Sequence, residues 1–215
     1  MATKIIDVSK HNGTIDWTKV KASGISGVII RAGYGRIITQ KDKSFESFYA
    51  GAVKAGLNVG AYWYSYAKSA EEAKTEAAVF LEAIKGKKFD LPVYYDIEEQ
   101  DHVALGKTVC TAMVEAFCST MEAAGYFAGV YSFDSFFASN LDESVRKKYT
   151  LLTARATPLL RQVLQVQFSA VFQLSAMACL AAGITAIATV AVTAGTVMVI
   201  VARTRPLHVT KWDLP

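Results

Sequence analysis

The chain has 215 residues, of which 52% are hydrophobic and 20% charged, enough for one sizeable domain around a single core. The formal net charge of +4 is unevenly placed: residues 1–150 hold 18 basic and 18 acidic side chains, whereas residues 151–215 hold five basic ones and the single acid Asp213. No basic stripe interleaved with aromatics occurs in the first 150 residues, so the basic balance of the tail gives no support to a nucleic-acid surface.

The N-terminal MATKIIDVSK runs straight into a strand pattern without a secretory signal, so synthesis in the cytoplasm is expected. KIIDVS (4–9) reads as a strand and TIDWTKVKASG (14–24) as a short helix stopped by Gly24. Asn12-Gly13-Thr14, between them, matches a glycosylation sequon but reads as a turn. GVIIRAGYG (27–35) is a buried strand with a glycine-rich turn. Its glycines do not form G-x-G-x-x-G, which argues against a dinucleotide site. A helix over 43–56 ends at Gly56, a strand follows over 57–67, and a helix over 69–86 starts with Ser69 as N-cap and Glu72 as capping-box partner. LPVYYDIE (91–98) is a strand, 105–125 a helix, YFAGVYSF (126–133) a strand and DESVRKK (142–148) a short helix. Cys110 and Cys118, eight apart in a helical pattern, are expected as two buried thiols on one face, and with Cys179 they form no metal-binding or CxxC spacing.

Strands alternate with helices five times, the pattern of βα units and a parallel α/β sheet. The sheet is either open and doubly wound or closed as a (β/α) barrel, and in both a ligand sits at the carboxyl ends of the strands. Acids mark those ends: Asp7 on the first strand, Asp96 and Glu98 on the fourth. Side chains two apart on a strand share a face, so Asp96 and Glu98 are expected to project together. Clustered carboxylates repel, one holds a proton near neutral pH, and the other stays charged. That is what glycosidic cleavage needs: a proton donor beside a group that stabilises positive charge. Tyr62, Trp63, Tyr64, Tyr66, Tyr94, Tyr95 and Tyr131 are expected near the same strand ends, where aromatic faces can stack on sugar rings. Taken alone, a D-x-E triplet is more often a helix cap or a solvated turn, and YWYSY more often core. Mg²⁺ could also take the two carboxylates, but neither a further ligand set nor a phosphate loop accompanies them.

Together these segments resemble the glycoside hydrolase family 25 lysozymes, the Chalaropsis-type N-acetylmuramidases of bacteria and their phages. The resemblance is carried by DVSKHNGTIDW (7–17), GVIIRAGYG, the Asp42 and Phe45 pair, AGLNVGAYWYSYA (55–67), SAEEAKTEAAVFLEAI (69–84), LPVYYDIE and GYFAGVYS (125–132), in order, over about residues 1–150. It implies a TIM-like (β/α) barrel in which five βα units are completed by three further strands. It implies hydrolysis of the β-1,4 bond between N-acetylmuramic acid and N-acetylglucosamine of peptidoglycan, with no cofactor and no metal, and action at the cell wall or outside the cell. Glu98 falls at the family's general acid, Asp96 at its partner carboxylate and Asp7 at the acid of the first strand. Tyr62, Tyr64, Tyr95, Tyr131 and Arg31 are the candidate substrate-binding residues.

The resemblance fades after Tyr149. LLTAR (151–155) suits the start of a sixth strand, so residues 1–155 are taken as an incomplete catalytic barrel and 156–215 as an atypical apolar tail. The family expects a further active-site Asp on the last strand, yet the only acid after Glu143 is Asp213. Residues 162–202 carry no charge, and the 27 residues of 176–202 would span about 40 Å as a helix, enough to cross a bilayer, with Arg203 and Arg205 as a flank. Three readings of the tail stay open: a transmembrane helix, an out-of-frame or fused segment, and divergent last strands.

Overall fold

The computed structural model describes residues 4–154 of the chain. They form six strands: β1 (Ile5–Val8), β2 (Gly27–Tyr34), β3 (Asn58–Tyr64), β4 (Val93–Asp96), β5 (Ala128–Phe133) and β6 (Thr150–Ala154). Between them run α1 (Trp17–Ala22), α2 (Phe45–Lys54), α3 (Ala70–Ala83), α4 (Gln100–Ala123), α5 (Asp134–Asn140) and α6 (Glu143–Lys148). The sixth strand stands where LLTAR suggested it. The Asn-Gly of the sequon ends a 3-10 turn over Lys10–Asn12, as expected of a turn.

Local chemistry sets the helix starts. The Asp16 carboxylate accepts the Lys19 N–H at 3.1 Å to open α1, and the Ser69 hydroxyl accepts the Glu72 N–H at 3.3 Å to open α3. The capping box expected at Ser69 is only half made. Arg36 holds one oxygen of Glu72 in an ion pair, and the other accepts the N–H of Lys68, one residue before the cap, at 2.7 Å. The helix expected over 105–125 begins earlier, at Gln100, and breaks at Gly106, whose φ of +78° only glycine adopts without strain. DSFFASN, not foreseen as a helix, forms α5 because Phe136 and Phe137 are drawn into the core.

The strand order is β1-β2-β3-β4-β5-β6, and every neighbouring pair is parallel. A doubly wound sheet reverses its order at a switch point; this one never does. Parallel strands in sequential order, joined by the right-handed crossovers that such connections take, put the helices on one face. The other face can then be buried only by curling on itself. Ile5 of β1 and Leu152 of β6 belong to one inner cluster with Ile29, Tyr62, Tyr94 and Tyr131. In a flat sheet those end strands would lie about 24 Å apart. The described residues therefore make a half-barrel; of the three further strands implied by the resemblance, β6 is the first, and the other two fall outside them.

The outer face carries the main core. Trp63, Phe80, Phe117 and Tyr95 form a continuous aromatic chain, with centroid distances of 5.5 Å, 6.0 Å and 4.1 Å along it. Each ring is fully buried, worth about 1.5–3 kcal/mol apiece. Cys110 and Cys118 are free, buried thiols on α4, in the same core. The inner floor is closed by small residues: a Cβ on Gly129 would stand 2.7 Å from the Tyr94 ring, and one on Gly60 2.7 Å from Ile29. Among the described residues no helix is long and apolar enough to cross a membrane, and the candidate span 176–202 lies outside them.

Candidate active site

The carboxyl ends of the strands open into one cavity of about 140 Å³. Asp7 reaches it from β1, Arg31 from β2, Tyr62 and Tyr64 from β3, Asp96 from β4 and Tyr131 from β5. Glu98 joins them from the segment between β4 and α4. The strand expected to run to Glu98 stops at Asp96, so period-2 alternation does not place Glu98; the turn into α4 brings it to the cavity. Ile97, between them, is buried on the core side.

Tyr95 does not belong to the site. It follows Tyr94 and therefore points to the other face, where it is 0% exposed, stacked on Phe117 and hydrogen-bonded to Ser65 and Glu76. Its assignment as a substrate-binding residue is corrected accordingly. Trp63 sits on the same outer face and donates its Nε1–H to the Gly35 carbonyl at 2.8 Å. The inner position is taken by Tyr94, which lines the cavity floor. Its separation of two from Asp96 was the signal that singles it out over Tyr95. Tyr66, 48% exposed, stands at the rim, with its ring 5.3 Å from Tyr64 and 6.0 Å from Tyr34.

Asp42 supports the site from beneath. Its carboxylate accepts the Arg31 Nε–H at 2.8 Å, the Lys10 N–H at 3.1 Å and the Ser44 N–H at 2.9 Å, tying three mouth segments together. Gly33 lets β2 bulge past Trp63, since a Cβ there would stand 2.5 Å from the indole. The Arg31 guanidinium is thereby oriented with Nη2 buried and without a hydrogen-bond partner among the described residues; the same holds for Asp96 Oδ1. A buried donor and a buried acceptor therefore flank the cavity, ready for a ligand that offers the converse pair.

Burial sets the protonation of the acids. Asp7 is pushed up to about 6 by loss of solvent. Glu98 rises to about 7, first through burial and then through the negative charges of Asp7 and Glu99. Asp96, only 3% exposed, is raised well above the carboxylate range by burial, then by Glu98 and Asp7, against the pull of Arg31. Three such carboxyls cannot all ionise at neutral pH, so the cluster keeps a proton there. Burial also raises the Tyr62, Tyr64 and Tyr131 hydroxyls, which stay protonated. Tyr64 donates its proton to Glu99 Oε1 at 2.7 Å, which leaves its lone pairs to face the cavity as acceptors. Among the described residues no group of three or more His, Cys, Asp or Glu side chains is arranged to hold a metal ion.

A singly wound parallel half-barrel with an acid cluster and tyrosines at its strand ends has the architecture of a glycoside hydrolase. The chain belongs to glycosyl hydrolases family 25, whose sequence model matches residues 6–176. It is 32% identical over 145 residues to the autolytic lysozyme of Clostridium acetobutylicum, a match covering 66% of this chain and 42% of that protein. Among solved structures it resembles the modular autolysin LytC of Streptococcus pneumoniae at 31% identity and a TM-score of 0.58, over 64% of this chain and 34% of that one. The bacterial lysozyme of Streptomyces coelicolor matches at 27% identity and a TM-score of 0.57, over 64% and 65% of the two chains. The chain spans about two fifths of the length of the curated relatives it matches.

Proposed function

We propose that the chain is a muramidase that hydrolyses the β-1,4 bond between N-acetylmuramic acid and N-acetylglucosamine in peptidoglycan. The observation that carries this is the convergence of Asp7, Asp96 and Glu98, from two strand ends, on one tyrosine-lined cavity. Glu98 is the general acid. Its carboxyl is pushed up to about 7, so it can hold a proton into the neutral range, and it stands outside the strand, where a leaving oxygen can reach it. As the C–O bond lengthens, Glu98 passes its proton to the glycosidic oxygen and positive charge builds on the sugar ring. Asp7, pushed up to about 6, supplies the facing carboxylate for that charge, and Asp96 is its partner carboxyl in the cavity wall. Tyr62, Tyr64, Tyr131 and Arg31 hold the sugar through hydrogen bonds, and water completes the hydrolysis.

The partner in this proposal is the glycan strand, and the place of action is the cell wall. Residues 1–155 form the catalytic part, and 156–215 the apolar segment whose partition into detergent would mark a membrane anchor. The test is release of reducing sugar ends from purified peptidoglycan by the full chain and by Glu98→Gln. The variant is expected to lose about 10²–10⁴ in kcat while still binding. Undiminished release would overturn the role of Glu98. One observation favours a second reading, a wall-binding protein without turnover: the acid that the resemblance leads one to expect on the last strand has no counterpart between Glu143 and Asp213. Retention on wall fragments with no release of sugar ends would identify it.

A further inference from the structure

On the core side of β4, facing away from the cavity, lies a carboxylate that the proposed reaction leaves unused. Glu76, midway along α3, is 0% exposed. A buried acid persists only if hydrogen bonds replace its water. Glu76 has them: Oε1 accepts the Tyr66 N–H at 2.8 Å, Oε2 accepts the Ser65 hydroxyl at 2.8 Å, and the Tyr95 hydroxyl stands 3.2 Å from Oε2. Ser65 Oγ in turn lies 2.7 Å from the Tyr95 hydroxyl and accepts the Ala67 N–H at 3.1 Å. Every group that meets Glu76 can donate, so the network suits an ionised carboxylate.

Each of these partners leads to the site. The Ser65 N–H donates to the Asp96 carbonyl at 2.9 Å. Tyr95 is bonded directly to Asp96 in the chain. Tyr66 carries the exposed ring at the rim. Glu76 therefore grips the backbone of Asp96 twice, through the residue before it and through the strand beside it.

We propose that Glu76 is a positioning residue for the Asp96 carboxyl: through Ser65 and Tyr95 it fixes the end of β4 and keeps Asp96 deep in the cavity wall. The catalytic consequence rests on the muramidase reading, but the positioning itself does not. Asp96 is faced by Asp7 from β1, Arg31 from β2, Tyr62 and Tyr64 from β3, Tyr131 from β5, and Glu98 and Glu99 beyond β4. Neither variant below alters any of these; Glu76→Gln also removes the Glu76 charge, whereas Tyr95→Phe removes none, so a shift at Asp96 in Tyr95→Phe reports its placement.

The experiment compares the full chain with Tyr95→Phe and Glu76→Gln. Tyr95→Phe removes one hydroxyl that lies outside the cavity and keeps the ring on Phe117. In Glu76→Gln the new amide cannot accept from every donor now present. Two quantities are read: the pH midpoint of the Asp96 carboxyl, by ¹³C resonance, and kcat against KM on peptidoglycan. Both variants should lower the midpoint by about half a pH unit or more, because a looser Asp96 regains solvent. They should lower kcat by about three- to a hundredfold with KM within about twofold. A midpoint and kcat unchanged in both, with only a lower Tm, would overturn the proposal and leave Glu76 a structural acid. A shifted midpoint in a chain whose wild type releases no sugar ends would uphold the positioning while the muramidase reading fails. If Glu76→Gln does not fold, Tyr95→Phe decides alone.

Discussion

The outer face of β2, β3 and β4 turns Val28, Ile30, Val59, Trp63, Val93 and Tyr95 toward the helices, whereas the inner face turns Ile29, Arg31, Tyr62, Tyr94 and Asp96 toward the cavity. The same strands, read at alternate positions, serve opposite ends. The outer positions gain free energy by leaving water. The inner acids lose it, because burial and mutual repulsion hold Asp7, Asp96 and Glu98 above their ordinary pKa values. The comparison of Tyr94 with Tyr95 teaches the same at the scale of one peptide bond: two identical side chains, one a cavity floor, the other a core ring tied to Glu76.

If the faces differ in this way, substitutions on them should fail differently. The largest effect is expected on the inner side, in chemistry alone: Glu98→Gln should lower kcat by about 10²–10⁴ with no loss of Tm. Peptidoglycan turnover and thermal unfolding, measured together, check it, and a large fall in Tm would move Glu98 into the structural class. Next comes the outer side. Phe117→Ala removes a ring stacked between Tyr95 and Phe80 and should cost about 3–5 kcal/mol in denaturant unfolding. Gly129→Ala tests where the faces meet. Its Cβ would press on the Tyr94 ring and, at 2.8 Å, on the Thr150 carbonyl, for a cost of about 1–3 kcal/mol together with weaker substrate binding from the displaced floor. Unfolding and KM measured on the same protein would separate the two effects.

Much of this was legible in the sequence wherever a local rule governs. Alternating strands and helices foretold the parallel sheet, and acids at strand ends foretold Asp7 and Asp96 at one cavity, whereas Glu98 reaches it from the turn beyond β4. LLTAR foretold β6. Where the reading failed, a residue's fate was decided by something nonlocal. Tyr95 was assigned by its neighbourhood rather than its parity, although alternation from Asp96 would have sent it to the core. Glu76 looks in sequence like any acid on a helix, and only the fold brings Ser65 and Tyr95 to it. The Ser69 box failed because Arg36, 36 residues from Glu72, competes for the carboxylate. DSFFASN is too short for a periodicity signal, so burial of its two phenylalanines decided its helix.

The smallest effect sharpens the contrast most, because its sign is unusual for a residue at the heart of a site. Asp7 titrates at about 6 in the folded chain against 3.8 for an ordinary Asp. Between those values the unfolded chain has lost its proton while the folded chain keeps it, so the unfolded state binds fewer protons and stability falls as pH rises. The penalty is absent near pH 4 and complete above about 6. Asp7→Asn cannot ionise and escapes it. The variant should match the wild type in Tm near pH 4 and exceed it near pH 7.5 by about 1–3 kcal/mol, or a few degrees. It should do so while losing activity. Removal of the Asp7 charge also takes away the second cause of the raised Glu98 carboxyl, so the alkaline limb of any remaining activity should move to lower pH. Melting curves of both chains at the two pH values decide the matter. A gap that does not widen with pH would mean that Asp7 is solvated, and that the inner face carries no electrostatic strain for catalysis to draw on.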